Sequence, residues 1–152
     1  MKIEERIAGL GIVVPEKSSP KAMYVPCVRT GSLIFVSGQI PAKADGTLIT
    51  GRLGDGMTVE EGQEAARTCA VNILSVLRSE LGDLDRVVRI VKLQAFVNST
   101  ADFDKQHLVA NGASQLLYDV FGEAGRHART AVGVNVLPMN AAVEVEAIVE
   151  VE

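Results

Sequence analysis

The sequence predicts one α+β domain in which two helices cover one face of a β-sheet. Two observations favour this fold class. Two long segments, 58–82 and 102–122, place apolar residues at the spacing of an amphipathic helix. The segments around them alternate apolar and polar residues with the period of two that a half-buried strand requires. The predicted order is β-β-α-β-α-β-β, and a chain of 152 residues is long enough to bury a core.

The N-terminal segment is predicted to be an extension of this domain. Residues 2–10 can form two helical turns, and the prolines and serines of 15–20 are typical of an extended linker. We therefore assign residues 1–20 to the extension and residues 21–152 to the domain.

Turn signals organise the chain before the first long helix. An apolar run at 33–36 follows a turn signal at 30–32 and predicts a short strand. Asp45-Gly46 is typical of a hairpin turn. Three glycines within 51–56 predict a flexible loop.

The first long helix has signals at both ends. Thr58 and Glu61 have the spacing of a capping box, in which each side chain binds an otherwise unpaired backbone amide. Gly82 is predicted to end the helix. The residues expected on its apolar face are Ala66, Cys69, Ile73, Val76 and Leu77.

A strand and a second helix follow. Residues 86–97 are rich in β-branched residues, and Asp102 and Gly122 are placed to cap and end the helix. The inward positions predicted for the strand are Val87, Val91, Leu93, Ala95 and Val97. The apolar residues that the predicted helix carries are Leu108, Val109, Ala113, Leu116, Leu117 and Val120.

The C-terminal segment is predicted to be a β-hairpin. Residues 129–137 and 143–151 both alternate with period two, which produces one buried and one polar face. A tight turn between these strands would place Arg129 opposite Glu150, and Asn135 opposite Glu144, on the polar face.

Arg129 has two interpretations on this face. A cross-strand ion pair with Glu150 would be structural, and the pattern alone favours it because most such pairs are structural. In the alternative, the planar guanidinium binds an anion through two parallel hydrogen bonds.

Other polar residues are weaker candidates. Glu144 interrupts an apolar run and could act as a general base or orient water, although a solvent-facing role is more common. Backbone amides at Ser37 and Gly38 could hold an oxygen at the end of a strand. Tyr24 has the pattern of a packing residue with a hydrated hydroxyl.

Composition argues against several functional classes. The net charge of −4 and the 4% aromatic content argue against a nucleic-acid-binding surface. No apolar run is long enough to span a membrane, and the charged N-terminus lacks the apolar core of a signal peptide. The two cysteines have no metal-ligand spacing, and His107 and His127 show no metal partners. We therefore expect a cytoplasmic protein with reduced thiols and no metal.

Several segments together resemble the YjgF family, also called the RidA or L-PSP family. Residues 33–41 resemble its N-terminal signature, and residues 128–132, 137–138 and 143–147 resemble its C-terminal signature. The N-terminal extension and the glycine loop fit a longer-chain branch of the family.

The resemblance implies a chorismate-mutase-like fold that forms a homotrimer with sites between subunits. It also implies hydrolysis of small reactive enamine and imine acids, such as 2-aminoacrylate, to 2-oxo acids and ammonia without a cofactor. By the same resemblance, Arg129 binds the substrate carboxylate and Glu144 handles water. The remaining site residues implied are Tyr24, Ser37, Gly38, Asn111 and the backbone of Ala131.

Two departures from the family pattern bear on the substrate. Ala131 stands where well-known members carry a cysteine, so thiol chemistry is excluded there while backbone groups stay available. Cys27 stands where those members have a glycine near the tyrosine. The alternatives are a non-catalytic binder or sensor of small carboxylates, a more specialised deaminase of a degradation pathway, and an endoribonuclease, against which the acidic composition argues.

Overall fold

The computed structural model describes residues 2–16 and 22–152. The helices are α1 (Ile3–Gly9), α2 (Val59–Leu81) and α3 (Gln106–Phe121). The strands are β1 (Cys27–Thr30), β2 (Leu33–Gln39), β3 (Arg52–Leu53), β4 (Gly56–Met57), β5 (Val87–Asn98), β6 (Ala128–Val134) and β7 (Val143–Val151).

The main sheet of the described residues has the strand order β1-β2-β7-β5-β6. Neighbouring strands are antiparallel except β5 and β6, which are parallel and are connected through α3. The residues of β7 that alternate inward, from Val143 to Val151, are all buried. Both long helices pack on this face, α2 against β2 and β7, and α3 against β5 and β6. The predicted α+β fold with two helices on one sheet face is confirmed.

The predicted ends of α2 are confirmed. Thr58 Oγ1 accepts a hydrogen bond from the Glu61 backbone amide at 3.1 Å, and the Glu61 carboxylate accepts one from the Thr58 amide at 3.4 Å. Gly82 follows the helix with φ of 75°, a conformation that glycine adopts without steric cost.

The predicted start of α3 is wrong. Asp102 does not cap this helix, because its carboxylate instead accepts a hydrogen bond from Thr100 Oγ1 at 2.7 Å. The chain turns once more, and α3 begins at Gln106, whose side-chain amide donates to the Phe103 carbonyl at 2.7 Å. Gly122 ends the helix as predicted.

β5 buries one residue that the alternating pattern places outward. Ile90 is fully buried and Val91 is only partly buried, which reverses the prediction for this pair. The register between β5 and β7 shifts between Ile90 and Lys92, and an irregularity of this kind changes which side chains point inward. Beyond it, Leu93, Ala95 and Val97 are buried as predicted.

The predicted C-terminal hairpin is wrong, because β5 lies between β6 and β7. The connection is no tight turn. Residues Pro138–Asn140 form a 3-10 turn in which Met139 and Asn140 both have φ of 57°. Asn98, at the end of β5, donates from its backbone amide to the Ala142 carbonyl at 3.0 Å. The connection therefore passes over the end of β5 before β7 begins.

The segments before α2 differ in detail from the predictions. β2 forms its hairpin with β1 across the turn at Gly31, and the Asp45-Gly46 turn is flanked by a single bridge between Ala42 and Leu48. The glycine loop contains the two-residue strands β3 and β4. The Leu53 carbonyl accepts a hydrogen bond from the Thr100 amide at 3.0 Å, which ties this loop to the segment after β5.

The helical turns predicted within residues 2–10 are confirmed as α1, which packs on the main body. Ile7 is buried in the core, and Glu4 forms a bidentate ion pair with Arg78 of α2, with N···O distances of 2.8 and 2.6 Å. Part of the predicted linker, 17–20, lies outside the described residues, and the division of the chain at residue 20 stays a prediction. No helix in the described ranges is long and apolar enough to cross a membrane.

Candidate active site

Arg129 is the second residue of β6, at the edge of the sheet next to α3. Its Cα partner is Leu93 of β5, whereas Glu150 pairs with Leu33 and Arg89. The predicted ion pair of Arg129 with Glu150 is therefore wrong, because the strand that intervenes separates the two residues. No carboxylate within residues 2–16 and 22–152 forms an ion pair with Arg129.

Polar groups on one face of α3 hold the Arg129 guanidinium instead. Nη1 donates to Asn111 Oδ1 at 2.8 Å and to Ser114 Oγ at 3.1 Å, and Nη2 donates to the His107 carbonyl at 3.1 Å. These three acceptors lie on successive turns of the helix. A guanidinium has five N–H donors. Nε and one hydrogen of Nη2 make no bond within the described part of the chain, so both can meet a ligand.

His127 extends this network. Its Nδ1 lies 2.7 Å from the Gly125 carbonyl, and its Nε2 lies 2.9 Å from Ser114 Oγ. Burial of the half-buried ring lowers its pKa from the ordinary value of 6.5, and the nearby Arg129 cation lowers that pKa further. His127 is therefore neutral at neutral pH. We call Arg129, Asn111, Ser114, His127 and the His107 carbonyl the Arg129 group.

The Arg129 group opens into a cleft of about 780 Å³. Residues of α2, of α3 and of the segment before β6 line this cleft, among them Gln63, Gln115, Tyr118 and Arg126. The volume exceeds what a three-carbon acid needs, and both polar and aromatic side chains are present.

Four other predicted site residues lie on β2, on β7 and in the segment before β1. A Cβ atom at Gly38 would lie 2.9 Å from Glu144 Cδ, so the carboxylate packs directly on the Gly38 backbone. Ser37 Oγ donates to the Val25 carbonyl at 2.7 Å, which anchors the segment that carries Tyr24. Tyr24 itself is 56% exposed. We call Tyr24, Ser37, Gly38 and Glu144 the Glu144 group.

Glu144 is half-buried, and this burial raises the pKa of its carboxyl above the ordinary value of 4.5. The neighbouring Glu146 charge raises that pKa further. A carboxylate with a raised pKa is a stronger base than an ordinary one, which favours proton transfer from water.

The two groups lie on opposite faces of the sheet. Arg129 and Ala131 are in register with Leu93 and Ala95, which are buried on the helix side. Glu144 points to the opposite face, because its neighbours Val143 and Val145 are buried on the helix side and side chains alternate along a strand. Ala131 packs partly against the core beside Arg129. One chain therefore does not bring the predicted site residues together.

Three members of the Arg129 group, which are Ser114, His127 and the His107 carbonyl, were not predicted from the sequence. Ser114 lies three residues after Asn111 on α3, and this helical spacing is the signal that could have identified it. His127 lies two residues before Arg129, which places both side chains on the same side of an extended segment. For this histidine the sequence indicated only that it has no metal partner.

This chain belongs to the YjgF family, and its fold is that of this family. Residues 4–151 match the family described as "YjgF/chorismate mutase-like, putative endoribonuclease". The resemblance inferred from the sequence motifs is thereby confirmed.

Particular relatives cover nearly the whole chain. Protein TCP17 of Trypanosoma cruzi is 51% identical over 98% of this chain and 94% of its own length. The crystal structure of Atu1372 from Agrobacterium tumefaciens, a protein of unknown function, is 47% identical with a TM-score of 0.91, over 99% of this chain and 94% of that one. A structure of E. coli TdcF with bound serine is 26% identical with a TM-score of 0.62, over 91% and 94% of the two chains.

Proposed function

We propose that this protein is a hydrolytic deaminase of small imine and enamine acids, which it converts to 2-oxo acids and ammonia. In this proposal Arg129 binds the substrate carboxylate and Glu144 orients water and transfers a proton. The observation that carries the proposal is the Arg129 guanidinium, which is held by three neutral acceptors and has no carboxylate partner in the described chain.

The donors left on Arg129 match a carboxylate. A guanidinium edge presents two N–H groups in one plane, and a carboxylate accepts both in a bidentate pair. The bonds from Nη1 and Nη2 to α3 fix the orientation of this plane before a ligand arrives. Serine, which is bound in the TdcF structure, is a small acid with the same carboxylate group.

The second part of the proposal is a homotrimer in which the Arg129 group of one subunit faces the Glu144 group of the next. β6 is an edge strand with β5 on one side only, so its other edge can approach another subunit. The sheet face opposite the helices exposes apolar side chains, including Val28, Phe35 and Val132. An exposed apolar face of this kind is typical of a protein interface.

The reaction requires that the protein position the substrate and a water molecule and transfer a proton. The carbon of a protonated imine is electrophilic, and a water that Glu144 orients adds to it. Glu144 takes a proton from this water and returns it to the nitrogen of the resulting carbinolamine. The C–N bond then breaks and ammonia leaves, while the carbinol hydroxyl gives its proton to the Glu144 carboxylate and becomes the carbonyl of the 2-oxo acid. Glu144 then passes this proton to the ammonia, which leaves as ammonium. An enamine enters the same sequence after a proton is added to its terminal carbon.

The experiment is the loss of enzymatically generated 2-aminoacrylate in the presence of purified protein. Wild-type protein should accelerate the loss and release one ammonia per 2-oxo acid. Arg129→Ala should lower kcat/KM by about 100-fold or more, since it removes a bidentate charged pair. Arg89→Ala is the matched control, because Arg89 is an exposed arginine with one weak 3.5 Å hydrogen bond. Wild-type protein without effect on 2-aminoacrylate, or an Arg129→Ala variant of full activity, would contradict the proposal.

A carboxylate binder without catalysis is the second candidate. The Arg129 group is complete within one chain, whereas the Glu144 group lies on the other face of the sheet, so binding needs fewer parts than turnover. Saturable binding of a 2-oxo acid, without turnover of any imine, would favour this candidate. RNA cleavage that persists through successive purification steps would instead favour the endoribonuclease activity that the family's description names.

A further inference from the structure

His127 and Ser114 connect Arg129 to a backbone carbonyl through an unbroken chain of hydrogen bonds. The chain runs from Arg129 Nη1 to Ser114 Oγ at 3.1 Å, from Ser114 Oγ to His127 Nε2 at 2.9 Å, and from His127 Nδ1 to the Gly125 carbonyl at 2.7 Å. His127 and Ser114 are both half-buried, so water competes only partly for these bonds.

The direction of each bond follows from the groups at its ends. A backbone carbonyl can only accept, so Nδ1 of His127 carries the proton. In a neutral imidazole the other nitrogen, Nε2, is then an acceptor, and the Ser114 hydroxyl donates to it. This donation directs a lone pair of Ser114 Oγ towards the N–H of Arg129. The lowered pKa of His127 is consistent with a neutral ring.

Close packing holds the end of this chain. A Cβ atom at Gly125 would overlap the Leu117 carbonyl, so only glycine allows the turn after α3 to lie directly against that helix. The Gly125 carbonyl is thus fixed relative to α3, the same helix that carries Ser114. His127 spans these two fixed points.

We propose that His127 is a positioning residue that acts through Ser114 to hold the Arg129 guanidinium in the orientation that binds the substrate carboxylate. This inference rests on the proposed role of Arg129. It adds that full affinity needs an acceptor at the position of His127 Nε2, which the neutral Nδ1–H form of His127 supplies.

Three variants test the acceptor at His127 Nε2. Ser114→Ala removes the intermediate hydroxyl. His127→Leu removes the acceptor with a side chain of similar size, and His127→Gln keeps an acceptor oxygen near the position of Nε2. We expect Ser114→Ala and His127→Leu to raise KM for 2-aminoacrylate about tenfold, with kcat within about twofold of wild type. His127→Gln should stay close to wild type. Ser79→Ala, at an exposed serine of α2, is the control.

The double variant shows whether Ser114 and His127 affect KM through one chain of hydrogen bonds or independently of each other. If Ser114 and His127 act through one chain, Ser114→Ala combined with His127→Leu should raise KM no more than either change alone. KM values that multiply in the double variant would overturn the inference, as would a His127→Gln variant as impaired as His127→Leu. A loss of kcat without a change in KM would also overturn it.

The nitrogen spectrum of His127 tests the inference without any activity measurement. At neutral pH, ¹⁵N resonances of the wild-type protein should show a protonated, pyrrole-type Nδ1 and an unprotonated, pyridine-type Nε2. The opposite tautomer would overturn the inference, even if His127→Leu fails to fold. Calorimetric titration with pyruvate distinguishes the failure of this inference from the failure of the proposed function. If the wild-type protein binds no pyruvate, the proposed role of Arg129 is contradicted. If it binds pyruvate and Ser114→Ala binds it equally well, only the role of His127 is contradicted.

Discussion

At the scale of single residues, Gly38 determines where the Glu144 carboxylate lies. An added Cβ would lie 2.9 Å from Glu144 Cδ and 3.0 Å from its Oε1, both of which are closer than ordinary contact. Because the obstacle is the end of a flexible side chain, we expect it to move aside and leave stability nearly unchanged. The position of the carboxylate, however, would change.

Gly38→Ala should therefore lower kcat for 2-aminoacrylate by about tenfold, a loss within the range that general acid–base catalysis contributes, while thermal unfolding stays near that of wild type. The effect should disappear when Gly38→Ala is made in a Glu144→Ala background, since the side chain that is displaced is then absent. An equal loss of kcat in both backgrounds would show that Gly38 acts in another way.

The raised pKa of Glu144 makes a prediction about stability. The pKa of Glu144 is higher in the folded protein than in the unfolded chain. Its protonated carboxyl therefore adds to the free energy of unfolding below the ordinary pKa of 4.5. This contribution is lost as pH rises through the pKa of the folded protein. Glu144→Gln, which cannot ionise, should therefore be more stable than wild type at neutral pH and lose this advantage below pH 4.5. Thermal unfolding of both proteins across this range measures the difference. An advantage of the variant that is the same at every pH would show that ionisation of Glu144 is not its cause.

Sequence reasoning selected candidate residues better than it predicted their surroundings. Asn111 was placed by family resemblance, and the structure shows it as an acceptor for Arg129. The alternative assigned to Arg129 from pattern alone, a pair with Glu150, required the two strands to be neighbours. Strand neighbours depend on long-range pairing, which local alternation does not encode.

At the scale of elements, the position of α3 depends on its contact with α2. A Cβ at Gly112 would overlap the backbone of Gln63, so the two helices approach at this point as closely as their main chains allow. α3 also carries Asn111 and Ser114, which hold Arg129. The distance between the helices is thus linked to the site.

Gly112→Ala should destabilise the protein by about 1–3 kcal/mol, because the helices must separate to admit the methyl group. It should also raise KM for 2-aminoacrylate as α3 shifts relative to β6. Urea unfolding and steady-state kinetics measure the two effects. Gly9→Ala is the control, since a Cβ at Gly9 of α1 meets nothing within 4 Å. A Gly112→Ala protein as stable as wild type would contradict the close approach of these helices.

Helices with strong end signals were predicted well, and strand order was not. Thr58, Glu61 and Gly82 act within one helix, so local chemistry was enough to locate α2. The strands β6 and β7 follow one another in sequence, yet β5 separates them. The connection between β6 and β7 therefore passes over Asn98 at the end of β5. In this connection Met139 and Asn140 adopt φ of 57°, and no tight turn forms.

At the scale of the whole molecule, the proposed reaction depends on two groups that one chain keeps apart. The Arg129 group lies on the helix side of the sheet and Glu144 on the other side. A hydrolytic site that uses both groups requires a second copy of the chain. Closed symmetry then generates equivalent sites around the assembly.

Subunit complementation tests most directly whether the two groups meet between subunits. Arg129→Ala and Glu144→Gln proteins, each strongly impaired alone, are unfolded together and refolded as an equal mixture. A functional site needs its arginine from a Glu144→Gln subunit and its glutamate from an Arg129→Ala subunit. Random assembly should therefore restore about a quarter of the wild-type rate on 2-aminoacrylate. A mixture no more active than the two separate variants would contradict a site shared between subunits.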